Sequence, residues 1–188
     1  MGRKLRNCKT KGDQTRRKSW WPFKKPTAQA TALSNLDFRL EIKEEVLESL
    51  RVYAQHEGNE ICGVLTGSQI DDKTFRISKV SPPCVAHNSR CGCERDASKA
   101  NEFISLDYEE SEHTRVYVGE WHTHPERRPS PSNTDNKAII NNFANSDLAF
   151  PFLVMIIVGT ESLYMSIYDG KGFIQLDLMS RQVKETSD

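Results

Sequence analysis

Two histidines separated by one residue, with an aspartate downstream, constrain this chain more than any other feature. They lie in the stretch GEWHTHPERRPSPSNTD, residues 119–135. On a β-strand, side chains two residues apart point to the same face, so the imidazoles of His122 and His124 can reach a common ion. Pro125 cannot continue a strand ladder, so we expect the chain to turn away directly after the histidines.

A predicted helix brings the aspartate into reach of the histidines. Residues 133–146, NTDNKAIINNFANS, predict a helix, and Ser132 with Asp135 forms a Ser-x-x-Asp pattern typical of an N-terminal cap. Two imidazoles and one carboxylate are a suitable ligand set for Zn²⁺, and three protein ligands leave the fourth position open, as a catalytic site requires. The sequence therefore predicts one catalytic zinc per chain, held by His122, His124 and Asp135.

The remaining segments predict a mixed α/β fold. The spacing of Val46, Leu47 and Leu50 predicts a helix that ends at Gly58, whereas residues 81–113 are polar and rich in turn residues and predict a long insertion. Strands are predicted in seven segments: residues 37–42, 61–67, 74–80, 115–124, 152–159, 162–169 and 172–178. Strands and helices without an internal repeat indicate an α/β sandwich around a central sheet.

Charge separates the N-terminus from the rest of the chain. Residues 1–25 contain ten Lys or Arg and one acid, a net charge of +9, and because the whole chain is neutral the remainder carries −9. We expect a basic, flexible arm at residues 1–31, a folded domain at 32–180 and a tail at 181–188. No apolar run is long enough to span a membrane or to form a secretory signal, so we expect a cytoplasmic protein.

The full string His-x-His-x7-Ser-x2-Asp resembles the signature of the JAMM metalloproteases, also called MPN+ or JAB domains. Upstream, EICGVLTG matches the family's Glu-x-x-Gly-x-Leu-x-Gly pattern through Glu60, Gly63, Leu65 and Gly67. The resemblance covers roughly residues 36–178 and implies the JAB/MPN fold, a cytidine-deaminase-like sandwich with a central mixed sheet flanked by helices. The deaminase signature itself is missing from the sequence.

The resemblance implies a role for each matching residue. The three predicted ligands would hold Zn²⁺, which lowers the pKa of its bound water toward ~7. Glu60 would take a proton from this water as general base, and the Ser132 hydroxyl would donate to the oxyanion. The residues alone also leave Glu120 open as a ligand or base, because it shares a strand face with His122; only the resemblance favours Glu60.

The motif is also similar to that of prokaryotic JAB proteins encoded beside E1- and E2-like enzymes in CBASS anti-phage operons. That resemblance implies a deubiquitinase-like isopeptidase that cleaves after the C-terminal residue of a ubiquitin-like or conjugated protein, with E1- and E2-like partners and residues 81–113 contacting the substrate. One alternative is a processing peptidase for a small ubiquitin-like or sulfur-carrier protein. Another is a DNA-associated JAB protein, in which the arm and its aromatic segment Ser19–Pro26 contact nucleic acid. A non-catalytic scaffold is disfavoured because the ligand set is complete.

Two further groups of residues have more than one interpretation. Cys84, Cys91 and Cys93 fit no common zinc spacing, so we interpret them as reduced loop thiols, with a second metal or a redox role as the alternative. Arg127 and Arg128 lie between the predicted ligands and are either solvated or in contact with a substrate carboxylate.

Overall fold

A computed structural model describes residues 30–33 and 38–180 of the chain. The helices are α1 (Glu44–Val52), α2 (Ala97–Glu110) and α3 (Asn133–Asn145). The strands are β1 (Ala30–Leu33), β2 (Arg39–Ile42), β3 (Cys62–Asp71), β4 (Thr74–Val80), β5 (Val85–Ser89), β6 (Gly92–Arg95), β7 (Val116–Thr123), β8 (Leu153–Val158), β9 (Leu163–Tyr168), β10 (Phe173–Gln175) and β11 (Asp177–Ser180). The segment Ser19–Pro26 and the predicted tail lie outside the described residues, so the arm and the tail stay predictions. Within the described residues, no helix is both long and apolar enough to cross a membrane.

Nine strands form one mixed sheet in the order β10-β9-β8-β7-β3-β4-β2-β1-β11. The pairs β2–β4 and β7–β8 are parallel, and the other neighbours are antiparallel. Strands β5 and β6 form a separate antiparallel hairpin. The predicted α/β sandwich with a central mixed sheet is confirmed.

The helices cover both faces of the sheet. Strand β8 is buried at all six positions, as expected for a strand covered on both sides. Its residues Val154, Ile156 and Val158 belong to the same apolar cluster as Val46, Leu47 and Leu50 of α1. Its alternate residues, Leu153, Met155 and Ile157, pack with Ile139 of α3. His122 is the register partner of Ile157, so it lies on the face that α3 covers.

Helix α1 ends at Val52, so the prediction of a helix as far as Gly58 is wrong. Tertiary contacts replace the helix beyond this point. The Tyr53 ring stacks on Trp121 with the ring centroids 4.6 Å apart, and Gln55 Oε1 accepts a hydrogen bond from the Thr123 hydroxyl at 2.9 Å. These contacts draw the chain across the sheet toward β3.

Residues 81–113 contain more regular structure than the turn-rich insertion predicted from the sequence. They form the hairpin β5–β6 and the 14-residue helix α2. Asp96 caps α2 by accepting hydrogen bonds from the Ser98 and Lys99 backbone N–H groups at 3.0 and 3.2 Å. Only Ala100 and Asp107 of α2 are buried, so the helix has little apolar periodicity to reveal it in the sequence.

A buried carboxylate ties α2 to the sheet. Asp107 is 2% exposed; it accepts hydrogen bonds from Arg115 Nε at 2.9 Å and from the Thr66 hydroxyl, and Lys79 Nζ lies 2.8 Å from its Oδ1. Burial alone would raise the pKa of Asp107, but these hydrogen bonds outweigh it and lower the pKa to about 2.

We expect Asp107→Asn to lower the free energy of unfolding at pH 7 by about 3–5 kcal/mol, because removing one member of a buried ion pair leaves its partners uncompensated. The folded pKa lies below the unfolded value of ~3.9, so the contribution of the ionised group is present above about pH 4 and is lost as the pH falls toward 2. Urea unfolding of wild type and variant between pH 7 and pH 3 measures both effects.

Glu110→Gln is the matched control, because Glu110 is an exposed partner of the same Lys79. We expect this change to cost less than about 1 kcal/mol at pH 7. If both variants lowered the free energy of unfolding equally, the buried hydrogen bonds of Asp107 would not be what stabilises this part of the fold.

Candidate metal centre

The end of β7 and the first turn of α3 bring three predicted residues together. The available ligand atoms of His122, His124 and Asp135 all lie within 4.8 Å of one another. The Nε2 atoms of His122 and His124 are 3.5 Å from Asp135 Oδ1 and Oδ2, respectively. Residues from two separate elements therefore converge on one point.

This donor set fits a divalent metal ion. Nε2 of His122 is buried and makes no hydrogen bond within the described part of the chain, which is costly for a polar atom unless a ligand satisfies it. Two ligands about 2.1 Å from a tetrahedral ion lie about 3.4 Å apart. The two separations of 3.5 Å between histidine nitrogens and Asp135 oxygens are close to this value.

A capping box holds Asp135 in place, as the sequence predicts. The Ser132 backbone N–H donates to Asp135 Oδ2 at 2.7 Å, and the Asp135 backbone N–H donates to Ser132 Oγ at 3.2 Å. Burial raises the pKa of Asp135, but the neighbouring imidazoles of His122 and His124 and the Ser132 backbone N–H outweigh it and hold the pKa well below its usual range. The carboxylate is therefore ionised and ready to bind a cation.

Glu60 lies beside the same point. Its side chain is buried directly before β3, and its Oε1 is 3.7 Å from Nε2 of His124. Burial raises the pKa of Glu60, although the nearby His124 and His122 oppose the shift. A buried carboxylate with a raised pKa has the proton affinity that a general base requires.

Glu120 has different partners, although it shares the face of β7 with His122. Arg95 Nε lies 2.8 Å from its Oε1, and the Tyr117 hydroxyl donates to the same oxygen at 3.0 Å. Glu120 is not part of the converging group, whereas Glu60 lies within 4 Å of one of its nitrogens. The distances thus distinguish Glu60 from Glu120, two carboxylates that the sequence spacing alone left as equal candidates.

A family sequence model, described as prokaryotic homologs of the JAB domain, matches residues 43–168. The chain belongs to the prokaryotic JAB family. A protein from Pseudomonas aeruginosa (strain BWHPSA011 / Pa011), named CD-NTase/cGAS isopeptidase, is 39% identical over 71% of this chain and 85% of its own length. A protein of the same name from Vibrio cholerae serotype O1 is 30% identical over 64% of this chain and 76% of its own length.

A solved structure shares the fold of this chain. The solution structure of a protein from Desulfitobacterium hafniense superposes with a TM-score of 0.56. The match covers 77% of this chain and 94% of that protein, at 19% sequence identity. Similarity at this level of identity concerns the fold alone.

The glycine-containing motif of this JAB domain has a steric explanation. A Cβ atom built on Gly63 would lie 2.6 Å from Nε1 of Trp121. Trp121 is fully buried and directly precedes His122 on β7. Any side chain at residue 63 would therefore displace the indole and disturb the strand that carries the histidines. Leu65 of the same motif is fully buried in the main core.

The loop after the histidines is fixed to the turn that follows β8. The Thr160 N–H donates to the Glu126 carbonyl at 2.7 Å, and a Cβ atom on Gly159 would lie 2.8 Å from that carbonyl oxygen. Arg127 Nε donates to Glu161 Oε1 at 2.6 Å, and Arg128 is exposed. Arg127 therefore has an acidic partner within the domain, and contact of either arginine with a substrate stays a prediction.

Cys62 and Cys93 form a disulfide in this JAB domain, with their Cα atoms 6.0 Å apart. The prediction of a reduced thiol is therefore wrong for Cys93, because β6 folds against β3 and joins residues that are 31 apart in the sequence. Cys84 and Cys91 are free, as expected. Among the described residues, the three predicted ligands are the one group of three or more His, Cys, Asp or Glu side chains whose ligand atoms lie close enough to share a metal ion.

A cavity of about 380 Å³ adjoins the candidate metal centre. His122 and Asp135 lie in its wall. The sheet and hairpin contribute Cys62, Cys93, Arg95 and Glu120, and α3 contributes Ala138, Asn141 and Asn142. Neither the disulfide nor the hairpin wall could be found from local sequence patterns, because both depend on contacts between distant segments.

We expect the purified protein to bind one zinc ion per chain and His122→Ala to weaken zinc binding at least 10²-fold, because two protein ligands hold zinc far less tightly than three. Competition titration with a chelating dye measures the affinity, and elemental analysis measures the stoichiometry. His113→Ala, which removes an exposed histidine outside the centre, is the control and should bind like wild type. Unchanged affinity in the His122 variant would contradict this ligand set.

Proposed function

We propose that this JAB domain is a zinc-dependent isopeptidase that cleaves a peptide or isopeptide bond at the C-terminus of a ubiquitin-like or conjugated protein. The observation that carries the proposal is the convergence of His122, His124 and Asp135 beside the buried Glu60. The shared name of the relatives, CD-NTase/cGAS isopeptidase, supports the same class of reaction.

The names of the relatives also support a biological setting. A CD-NTase/cGAS isopeptidase acts on a conjugated nucleotidyltransferase-type protein, so we propose that this chain reverses E1/E2-type conjugation in a bacterial anti-phage system. In this setting its substrate is a protein, and it acts in the cytoplasm together with E1- and E2-like partners.

His122, His124 and Asp135 would hold the zinc ion. When bound, the ion would act as a Lewis acid that polarises the scissile carbonyl and lowers the pKa of water, so that hydroxide is available as the nucleophile at neutral pH. Glu60 lies beside this point, just before β3, and would accept the proton of the attacking water. It would then pass the proton to the departing amine, so that the leaving group departs neutral.

Ser132 can serve the helix cap and the reaction at once. In the cap, its Oγ accepts a hydrogen bond from the Asp135 backbone N–H, which uses a lone pair and leaves the hydroxyl hydrogen free. Ser132 is exposed, so a substrate can approach the hydroxyl. We propose that this hydrogen is donated to the oxyanion that forms on the scissile carbonyl.

We expect Glu60→Gln to lower kcat by about 10²–10⁴-fold while zinc stays bound, because the amide cannot accept the proton. The test measures the rate at which the zinc-loaded protein cleaves a fusion substrate, in which a reporter is joined to the C-terminus of a ubiquitin-like or conjugated protein. A chelator should abolish this cleavage. Glu120→Gln is the isosteric control and should lower kcat less than about tenfold, since Glu120 is paired with Arg95 and Tyr117. Near-normal turnover in the Glu60 variant would refute its assignment as the base.

A second prediction separates the two roles of Ser132. Ser132→Ala should lower kcat about 10²–10³-fold through loss of the oxyanion donor, and lower stability by about 0.5–2 kcal/mol through loss of the cap. Ser132→Thr keeps the hydroxyl that serves both roles and should retain most of the activity. If the alanine variant loses stability and keeps its kcat, the hydroxyl acts only as a cap.

A further inference from the structure

The backbone of Glu60 is bonded on both sides to the hairpin β5–β6. Its N–H donates to the Ser89 carbonyl at 2.8 Å, and its carbonyl accepts from Nδ2 of Asn88, also at 2.8 Å. Asn59 supports the same contact, because its Nδ2 lies 3.3 Å from the Asn88 carbonyl. Both hydrogen-bonding groups of the Glu60 main chain are therefore held by the hairpin.

The disulfide ties this same hairpin to the catalytic strands. Cys62 lies two residues after Glu60, at the start of β3, and is the cross-strand partner of His122 on β7. Cys93 lies on β6, so the disulfide joins the hairpin to the sheet directly beside the metal centre. The covalent link and the hydrogen bonds to Glu60 restrain the hairpin at neighbouring points.

The hairpin has few other restraints. The residues of β5 and β6 are exposed or half-buried, and none belongs to an apolar cluster of the described chain. Segments with few buried apolar contacts open locally at low cost in free energy. The disulfide and the ion pair between Arg95 of β6 and Glu120 of β7 are therefore the main links that hold the hairpin against the sheet beside Glu60.

We propose that the hairpin β5–β6 positions Glu60 for catalysis and that the Cys62–Cys93 pair makes this positioning depend on thiol redox state. The inference rests on the proposed isopeptidase function. Asn88 is a positioning residue, since it acts through the Glu60 backbone rather than on the substrate. With the disulfide formed, the base is held beside His124; after reduction, the hairpin is free to separate and Glu60 samples unproductive positions.

The redox step requires a dithiol reductant, for example a small protein with two redox-active cysteines. One reductant thiolate attacks a sulfur of the pair, the S–S bond breaks, and the second thiolate releases the mixed disulfide. The pair gains two electrons and two protons as two thiols, and the reductant becomes a disulfide. Both sulfurs belong to residues that line the cavity, and Cys93 is only half-buried, so the cleft gives access to the bond.

The test compares full-length, zinc-loaded protein before and after treatment with a phosphine reductant, and alkylation followed by mass spectrometry verifies the state of each cysteine. We expect reduction to lower kcat about tenfold with KM and zinc content unchanged, since a misplaced base slows the chemical step. Hydrogen exchange at the Glu60 amide should accelerate by a similar factor. Cys93→Ser should reproduce both effects without reductant and should not respond further to it.

Cys91→Ser is the matched control, because Cys91 is a free, exposed cysteine at the turn of the same hairpin. It should behave like wild type in both states. A response to reductant in Cys93→Ser, or unchanged kcat and unchanged Glu60 exchange in reduced wild type, would overturn the proposal.

Asn88→Asp tests the hydrogen bond separately, because the carboxylate keeps the shape of the side chain and loses the donor to the Glu60 carbonyl. We expect lower kcat, unchanged zinc affinity and faster exchange at Glu60 with the disulfide intact. Normal exchange and normal kcat would remove Asn88 from the proposal. Amide exchange requires no substrate, so absence of hydrolysis would refute the proposed function, while exchange at Glu60 would still decide whether the hairpin holds this residue.

Discussion

The pairing of β3 with β7 is the constraint on which the site depends. It places Glu60, two residues before β3, beside the histidines at the end of β7. The junction is closed by the Thr123 N–H, which donates to the Ile61 carbonyl at 2.9 Å, and by the Ile61 N–H, which donates to Thr123 Oγ1 at 3.0 Å. A slip of one residue would turn His122 to the face that α1 covers, away from Asp135.

This pairing also explains how the domain accommodates polar groups at the edge of its core. His124 and Glu60 are buried, yet they lie beside each other across the strand ends, and His124 also lies beside Asp135. Asp135 is held by the backbone of its own helix, so its position does not depend on the histidines. The main chain of Glu60, by contrast, is bonded to a hairpin that has little core of its own.

Local patterns in the sequence were sufficient for much of the fold and pointed to the three side chains that converge at the candidate metal centre. The strand at residues 74–80 and the capping box at Ser132 have the predicted bounds and partners, because period-two apolar residues and cap spacing depend on near neighbours. The end of α1, the helix α2 and the Cys62–Cys93 pair could not be predicted in this way. Each depends on a contact with a distant segment: Tyr53 with Trp121, Asp107 with Thr66, and β6 with β3.

Two segments near the candidate metal centre differ in how much change they can accept. The loop after the histidines contacts Gly159 through Glu126 and Pro129 with no room for a single extra carbon, so its path is fixed by steric exclusion. In the hairpin β5–β6, by contrast, His87, Arg90 and Glu94 are exposed and hold neither Glu60 nor the disulfide, so they can vary without disturbing packed side chains. Diversification toward new target proteins is therefore expected at these exposed positions, and a hairpin that changes them while keeping Asn88 and Cys93 is the natural starting point for altering specificity.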